Sequence, residues 1–417
     1  MTEMNLPESV KLVLEALYHN GFSAYVVGGC VRDAILGKEP KDYDVTTSAL
    51  PEQVMEVFRG YEVIPTGLQH GTVTIMVHNQ PIEVTTYRID GEYSDGRRPD
   101  SVTFALSVED DLMRRDFTMN AIAYNPWQGI VDPYNGIEDI NNNMIRCMGK
   151  PQNRFNEDGL RILRAIRFSA QLGFDIEEDT SNAIHEMKNL LNNISKERIQ
   201  SELVKILMSD RCGYLMFALY HDVFEMFLSD VRINFSKRLT MSNINSSNED
   251  GNDIISRLAL LFDGDDVNIA YKNLRELKFS NEITAYSTQL VGYCNEQLPF
   301  DKRDMKLLMG KLNIQQIKRL LFIFKHKALR MGIDSNEFVK VINAQNILNE
   351  IIENNECYCL KQIAINGDDL IAIGFEQGRE IGNVLNMILE MVVSEQIEND
   401  RQILIDTAKA IRYNVLL

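Results

Sequence analysis

Two periods of apolar repetition run through this chain, and the switch between them divides it. Val10, Val13, Leu14 and Leu17 fall at helical spacing within residues 7–19, so a helix precedes the first strand. Ala24-Tyr25-Val26-Val27 reads as a short buried strand, Val31 to Leu36 as the start of a helix, and Val45-Thr46-Thr47 as a strand. Pro51 to Phe58 has the leading proline and spacing of a further helix. Thr72–Val77 and Ile82–Tyr87 alternate or run β-branched around His78-Asn79-Gln80-Pro81, which predicts a hairpin. From Glu157 onward the spacing is helical: Glu157–Phe168, a helix with Ser195 as candidate N-cap, then Ile254–Phe262, Ala270–Leu277, Ile283–Tyr293, Lys302–Leu312, Ile314–Ala328, Ser335–Ile351 and Ile381–Val392. Ser242 to Asp253, rich in Asn, Ser and acid, reads as an exposed linker.

Chemistry gathers where the first strand meets its helix. In Gly28-Gly29-Cys30-Val31-Arg32-Asp33 the glycine pair lets backbone N–H groups approach a phosphate at the positive end of the helix, and Arg32 adds a forked donor. Downstream, Asp42 and Asp44 flank Tyr43 at the head of a strand; residues two apart share a face, so both carboxylates point one way. Such a pair holds the hard, oxygen-seeking Mg²⁺ that nucleoside triphosphates bring. Alone, the first motif is equally a structural turn, and Asp-x-Asp arises by chance. Together and in this order they point to phosphoryl or nucleotidyl transfer. Glu83 stands where a neighbouring strand brings a third carboxylate to the pair, or else it faces solvent on an edge strand. Ile89 to Asp100 is a polar, glycine-rich loop, a candidate lid.

Composition narrows the class. The 417 residues suffice for two to four domains, no apolar run approaches a membrane span, and no signal peptide opens the chain, so a cytoplasmic protein is expected. Six scattered cysteines suggest no disulfide framework, and Cys357-x-Cys359 lacks a second pair for zinc. His221-Asp222 has no companion set for a metal phosphohydrolase. Net charge is −17, against the usual footprint of nucleic-acid binding. Residues 146–168 run the other way: Arg146, Lys150, Arg154, Arg161, Arg164 and Arg167 face only Glu157 and Asp158. An acidic shell around a basic cleft fits a protein that binds one RNA shape locally.

These motifs, with Arg114-Arg115-Asp116-Phe117-Thr118-Met119-Asn120-Ala121 and Glu157-Asp158-Gly159-Leu160-Arg161, resemble the polymerase-beta superfamily, in the branch of class II tRNA CCA-adding enzymes and poly(A) polymerases. The resemblance is strong over residues 20–205 and fainter beyond. It implies an α/β nucleotidyltransferase head (1–147), then an all-α neck (148–210), body (211–330) and tail (331–417) that contacts tRNA at its acceptor stem and elbow. Arg115, Asp116 and Asn120 are then expected beside the nucleotide, Gly28, Gly29 and Arg32 on the triphosphate with Arg164 and Arg167, and Asp42, Asp44 and Glu83 on two Mg²⁺. Asp158 and Arg161 match the pair that selects the base. Cytosine and adenine present an amino donor beside a bare ring nitrogen, and uracil and guanine the reverse; a carboxylate beside a guanidinium therefore fits CTP and ATP. Without the upstream motifs, the same residues read as a surface helix with one i,i+3 ion pair. Gly159 departs from the family, which carries a side chain there, and is expected to loosen the first helical turn. Three alternatives stay open: a poly(A) polymerase, an enzyme adding only the final A, and an inactive RNA-binding protein.

Overall fold

The computed structural model describes residues 4–93, 96, 99–231, 240–241, 244, 249–294, 296, 298–299 and 301–413. They form two compact units, Met1–Arg211 with Leu219–Ser229 and Cys212–Ala218 with Asp230–Leu417.

The first unit is built on a seven-stranded mixed sheet. Its strands in chain order are β1 (Ala24–Val27), β2 (Asp44–Thr47), β3 (Glu62–Gly67), β4 (Thr72–Val77) and β5 (Gln80–Thr86). After the small hairpin β6 (Arg88–Asp90) and β7 (Val102–Phe104) come β8 (Ala123–Asn125) and β9 (Gly129–Val131). The order across the sheet is β3-β4-β5-β2-β1-β8-β9, with β2 and β5 parallel and every other neighbour antiparallel. Every residue of β1 is buried, as expected for a strand covered on both faces. Helix α1 (Glu8–His19) buries Val10, Val13, Leu14 and Leu17, the residues its periodicity singled out. α2 (Gly29–Ile35) follows β1 directly, and α3 (Pro51–Val57) starts on its proline. His78 and Asn79 both hold positive φ, the backbone of a tight two-residue hairpin turn, so β5 already begins at Gln80. The expected lid over 89–100 is rooted in the β6–β7 hairpin; Ser94, Asp95, Arg97 and Arg98 lie outside the described residues.

The expected single helix from Glu157 is two helices. α4 (Val108–Met113) and α5 (Gly136–Asn141) close the sheet-bearing region, and α6 (Pro151–Glu157) then ends at Asp158, whose φ of −150° and ψ of 104° are extended. Chain direction changes there, and α7 (Leu160–Leu172) begins. An aspartate in extended backbone ahead of a helix accepts from that helix's first free N–H groups, and Asp158 Oδ1 takes Leu160 N at 3.0 Å. α7 is buried along most of its circumference, Arg161 included, and packs against α9 (Lys196–Leu207), which follows α8 (Glu178–Met187). One exception breaks the all-helical expectation: after Gly173, at φ +79°, Asp175–Ile176 pairs in parallel with Met144–Ile145.

Among the described residues, the second unit is built of helices. Eight of its described helices begin on Asp253, Asp266, Ser280, Asp301, Asn313, Ser335, Asn366 and Asp400, each of whose side chains accepts from a backbone N–H of its own first turn. The helix Arg379–Val393 covers the expected segment, and Arg401–Arg412 adds one that periodicity did not single out. The acidic stretch read as a linker is docked where it is described. Glu249, Asp250 and Asp253 pair with Lys325, Lys318 and Arg319 along the helix Ile314–Leu329. Residues 242, 243 and 245–248 of that stretch lie outside the described residues. No described helix is long and apolar enough to cross a membrane.

Candidate active site

Strand register sets the carboxylates. Asp44 opens β2 and is the direct partner of Glu83 on β5, so the two side chains leave the same face of adjacent parallel strands. β5 lies between β4 and β2, so Glu83 is exposed on an interior strand, not an edge. Asp42 is exposed two residues before the strand, so loop geometry and not the pleat places it. It still lies close enough to act on Asp44. Packing around the Asp44 carboxyl raises its pKa above the usual aspartate range and the charge of Asp42 raises it further, against the pull of Arg115. Among the described residues no cation lies within ion-pair distance of Asp42, Asp44 or Glu83. Asp42 repels Asp44, and Glu83 stands in register beside Asp44; carboxylates of this kind are the hard oxygen donors that suit Mg²⁺, although no group of three or more potential metal ligands is drawn together among the described residues.

The glycine turn faces these acids. Gly28 sits at φ +83° and ψ −128°, a conformation only glycine adopts without strain, and a Cβ there would lie 2.6 Å from Arg115 Nη1. Gly29 opens α2 with only ordinary contacts around it. Gly28 therefore admits the Arg115 guanidinium against its own backbone. Burial lowers the Arg115 pKa and neighbouring Arg114 lowers it further, opposed by Asp111, Asp44 and Asp116; its Nε is buried without a hydrogen-bond partner. Arg32 is buried and already engaged: Nη1 donates to Asn120 Oδ1 at 2.7 Å, while Nε and Nη2 donate to Asp33 Oδ1.

Asp116 holds the two halves of the site together. Its Oδ1 accepts from Phe117 N (2.9 Å) and Asn120 Nδ2 (3.1 Å), and its Oδ2 accepts from Arg164 Nε (2.8 Å) and Nη2 (2.5 Å) on α7. Burial alone would raise this carboxyl, but the Arg164 charge and the donors from Asn120 and Arg164 win, pulling it down to about 2. Both oxygens are thus occupied within the protein, so Asp116 orients Arg164 and Asn120.

The two residues expected to select a base are not paired with each other. Asp158 is gripped by Arg198 of α9 in a two-pronged contact, Nη1 to Oδ1 at 3.1 Å and Nη2 to Oδ2 at 2.7 Å. Arg161 instead donates to Glu157 Oε2 at 2.5 Å, one turn back, and to the carbonyls of Arg154 and Arg114. Burial opposes the Arg161 charge, but Glu157 and Asp116 outweigh it and raise its pKa. Neither group is saturated: Oδ2 of Asp158 retains lone-pair capacity and Arg161 Nε is uncommitted. Arg167 pairs with Glu202 at 2.5 Å.

Two contributors escaped the sequence reading. Arg198 was given no role at the site, and only the return of α9 along α7 brings it to Asp158. Phe168 looked like one more apolar position, yet Arg167, Arg32 and Arg164 lie over its ring at 3.9, 5.1 and 5.5 Å. Helical spacing announces a buried Phe; it does not announce three cations above it.

Gly159 also acquires a reason. It has ordinary helical dihedrals, and a Cβ there would lie 2.9 Å from Leu190 Cβ and 3.3 Å from the Leu190 carbonyl oxygen. The position is small because another segment passes over it. Gly159→Ala is therefore expected to lower stability by about 1–2 kcal/mol despite alanine's better helix propensity; a higher melting temperature would contradict the close packing. Asp116→Asn is expected to cost about 2–3 kcal/mol at neutral pH, because Arg164 loses its counter-charge. With a folded pKa of about 2, below the ordinary aspartate value, this stabilisation is complete above about pH 4 and vanishes as pH falls through about 2. Urea midpoints of wild type and variant should thus differ by a constant amount from pH 8 to 5 and converge in acid; a gap that widens in acid contradicts the ionic clamp.

Comparison with known proteins agrees along the whole chain. Residues 24–146 match the family described as the poly A polymerase head domain. Residues 173–222 match a probable RNA and SrmB-binding site of polymerase A, and 247–408 match tRNA nucleotidyltransferase domain 2. The CCA-adding enzyme of Ligilactobacillus salivarius is 33% identical over 97% of both chains, and that of Lactobacillus helveticus 35% identical over 93% of both. The crystal structure of the Bacillus stearothermophilus CCA-adding enzyme in complex with CTP superposes with a TM-score of 0.75, at 27% identity over 98% of both chains. The Thermotoga maritima CCA-adding enzyme complexed with tRNA shares the fold, with a TM-score of 0.70 at 21% identity over 97% of this chain and 96% of that one. With relatives of this identity spanning nearly its full length, the chain belongs to the CCA-adding enzymes, a family of nucleotidyltransferases.

Proposed function

We propose that this protein adds C, C and A in turn to the 3′ end of tRNA in the cytoplasm, using CTP and ATP and releasing pyrophosphate, with protein side chains in place of a nucleic-acid template. The observation that carries the reading is one connected arrangement. Asp44 and Glu83 stand in register beside Arg115, and the adjacent Asp116 bonds Arg164 on the helix that follows Asp158 and carries Arg161.

The tRNA 3′-hydroxyl oxygen forms a bond to the α-phosphorus of the incoming nucleotide, and the bond from that phosphorus to the bridging oxygen of pyrophosphate breaks. Asp42 and Asp44, with Glu83 beside them, are the groups to hold Mg²⁺. When bound, that ion neutralises triphosphate charge and makes the attacking hydroxyl more acidic. Gly28, whose own N–H donates to the Ile122 carbonyl, leaves room beside the turn, and Arg115, with a buried Nε still lacking a partner, supplies positive charge to the triphosphate from there. Asp158 accepts from the exocyclic amino group of cytosine or adenine, and Arg161 donates to the adjacent ring nitrogen. Uracil or guanine would set donor against donor and acceptor against acceptor. Arg198 holds the Asp158 carboxylate while one oxygen stays able to accept. The tRNA acceptor stem is read by shape and phosphate along the neck, and the elbow at the tail.

Incubating the protein with tRNA lacking its 3′ end, Mg²⁺ and each nucleotide separately or together tests this, with products sequenced. Addition of CCA is expected; A alone, or a long A tract, would overturn the reading in favour of an A-adding enzyme or poly(A) polymerase. Asp44→Ala is expected to reduce all addition by about a thousandfold, and Asp158→Ala to relax discrimination against UTP and GTP by about ten- to a hundredfold. Because the Asp44 carboxyl titrates above the ordinary aspartate range, its metal-binding form is lost sooner on acidification. The acid limb of the pH–rate profile should therefore move to lower pH as Mg²⁺ is raised, and a limb indifferent to Mg²⁺ would count against this assignment.

A further inference from the structure

Asp111 belongs to none of the motifs above, yet it is a completely buried carboxylate, 0% exposed, on α4 behind β2. A carboxylate taken wholly out of water is costly unless it is paired and hydrogen-bonded on both oxygens. The two oxygens of Asp111 serve different neighbours. Oδ1 accepts from Arg114 Nε at 2.9 Å and from the Arg88 backbone N at 3.4 Å, at the root of the β6–β7 hairpin. Oδ2 accepts from Thr46 Oγ1 at 3.2 Å, two residues after Asp44 on β2, and lies 3.8 Å from Arg115 Nη2. Among the described residues Asp111 is the one carboxylate within ion-pair distance of Arg115. At 3.8 Å that contact orients the guanidinium without consuming it, and the buried Nε is left unpartnered beside Gly28.

Resting on the nucleotidyl-transfer reading above, we propose that Asp111 is a positioning residue that aims the Arg115 guanidinium, through Oδ2, at the triphosphate over Gly28 and Asp44. Arg115 lies four positions after Asp111 and carries a long, rotatable side chain; Asp44 and Asp116 also attract it, but Asp111 is the carboxylate among the described residues that comes within ion-pair distance of its guanidinium. The bond from Thr46 ties that anchor to the strand bearing Asp44, so cation and metal-binding acid are set by one group.

The asymmetry supplies a selective variant. In Asp111→Asn the carbonyl oxygen keeps Arg114 and Arg88, while the amide NH₂ faces Arg115 and Thr46, whose hydroxyl is able to turn and bond the Thr85 carbonyl. Equilibrium binding of CTP with Mg²⁺, and KM and kcat on tRNA lacking its 3′ end, are measured for wild type, Asp111→Asn, Arg115→Met and the double variant. Asp111→Asn is expected to weaken CTP about tenfold, chiefly in KM, as for loss of one charge-assisted contact. In the Arg115→Met background it should weaken CTP no further. Unchanged CTP affinity in Asp111→Asn, or losses that multiply in the double variant, would overturn the proposal. If Asp111→Asn does not fold, Thr46→Val removes the other group on Oδ2. It should raise KM for CTP about threefold with Arg115 present and not with Met there, and no change overturns the proposal. A wild-type chain that binds neither CTP nor ATP would instead sink the nucleotidyl-transfer reading itself.

Discussion

The buried Asp116 carboxylate fixes the geometry on which the rest of the site is built. A carboxylate at this depth is tolerated because four donors surround it, two from its own loop and two from the Arg164 guanidinium on α7. That pairing sets where the helix beyond Asp158 lies relative to the sheet that carries Asp44 and Glu83. It also fixes Asn120, which in turn receives Arg32 from the helix behind the glycine turn. The glycine turn and the helix beyond Asp158 are thus joined through one ion pair and its hydrogen bonds, and no long loop is needed to span them.

Around this centre the charged groups are arranged in partnerships that leave some capacity over. Glu157 with Arg161, Asp158 with Arg198, and Glu202 with Arg167 are all packed on or between α6, α7 and α9. Each pair neutralises charge that would otherwise oppose packing of the basic segment, and this explains how so many arginines coexist there in a chain of net charge −17. The carboxylates over β2 and β5 are the opposite case. Among the described residues they stand without cations, and the charge of Asp42 adds to burial in raising the Asp44 carboxyl.

Much of the fold was legible because local rules and tertiary context agreed. Strand alternation placed β1, β4 and β5, and side-chain caps such as Asp253, Ser335 and Asp400 mark where helices of the second unit begin. Spacing along a strand and a glycine turn are local signals, and they placed Asp44 at the head of β2 and the turn before α2; for Glu83 the reading left two options, and the register sets it beside Asp44. Reading failed where geometry comes from distant segments. The break at Asp158 was signalled only by the neighbouring Gly159, read as loosening a helical turn and not as ending one helix, and Asp158 is held there by a capping bond and a grip from α9. Gly159 looked like a weakness until Leu190 was found passing over it. Asp253 and its acidic neighbours read as a solvated linker because composition does not reveal the basic helix beside them. The strand at Asp175–Ile176 is two residues long, below what any periodicity detects.

The ring of Phe168 carries a consequence for how this pocket evolves or is redesigned. Arg32 comes from the glycine-turn motif and Arg164 and Arg167 from the helical one, yet all three lie against the same aromatic ring. Their favourable interaction with its electron-rich surface is shared, so the three side chains form one mechanical unit. Exchanging any one of them alters the seat of the other two, and a graft of either motif onto another scaffold would have to bring the ring along.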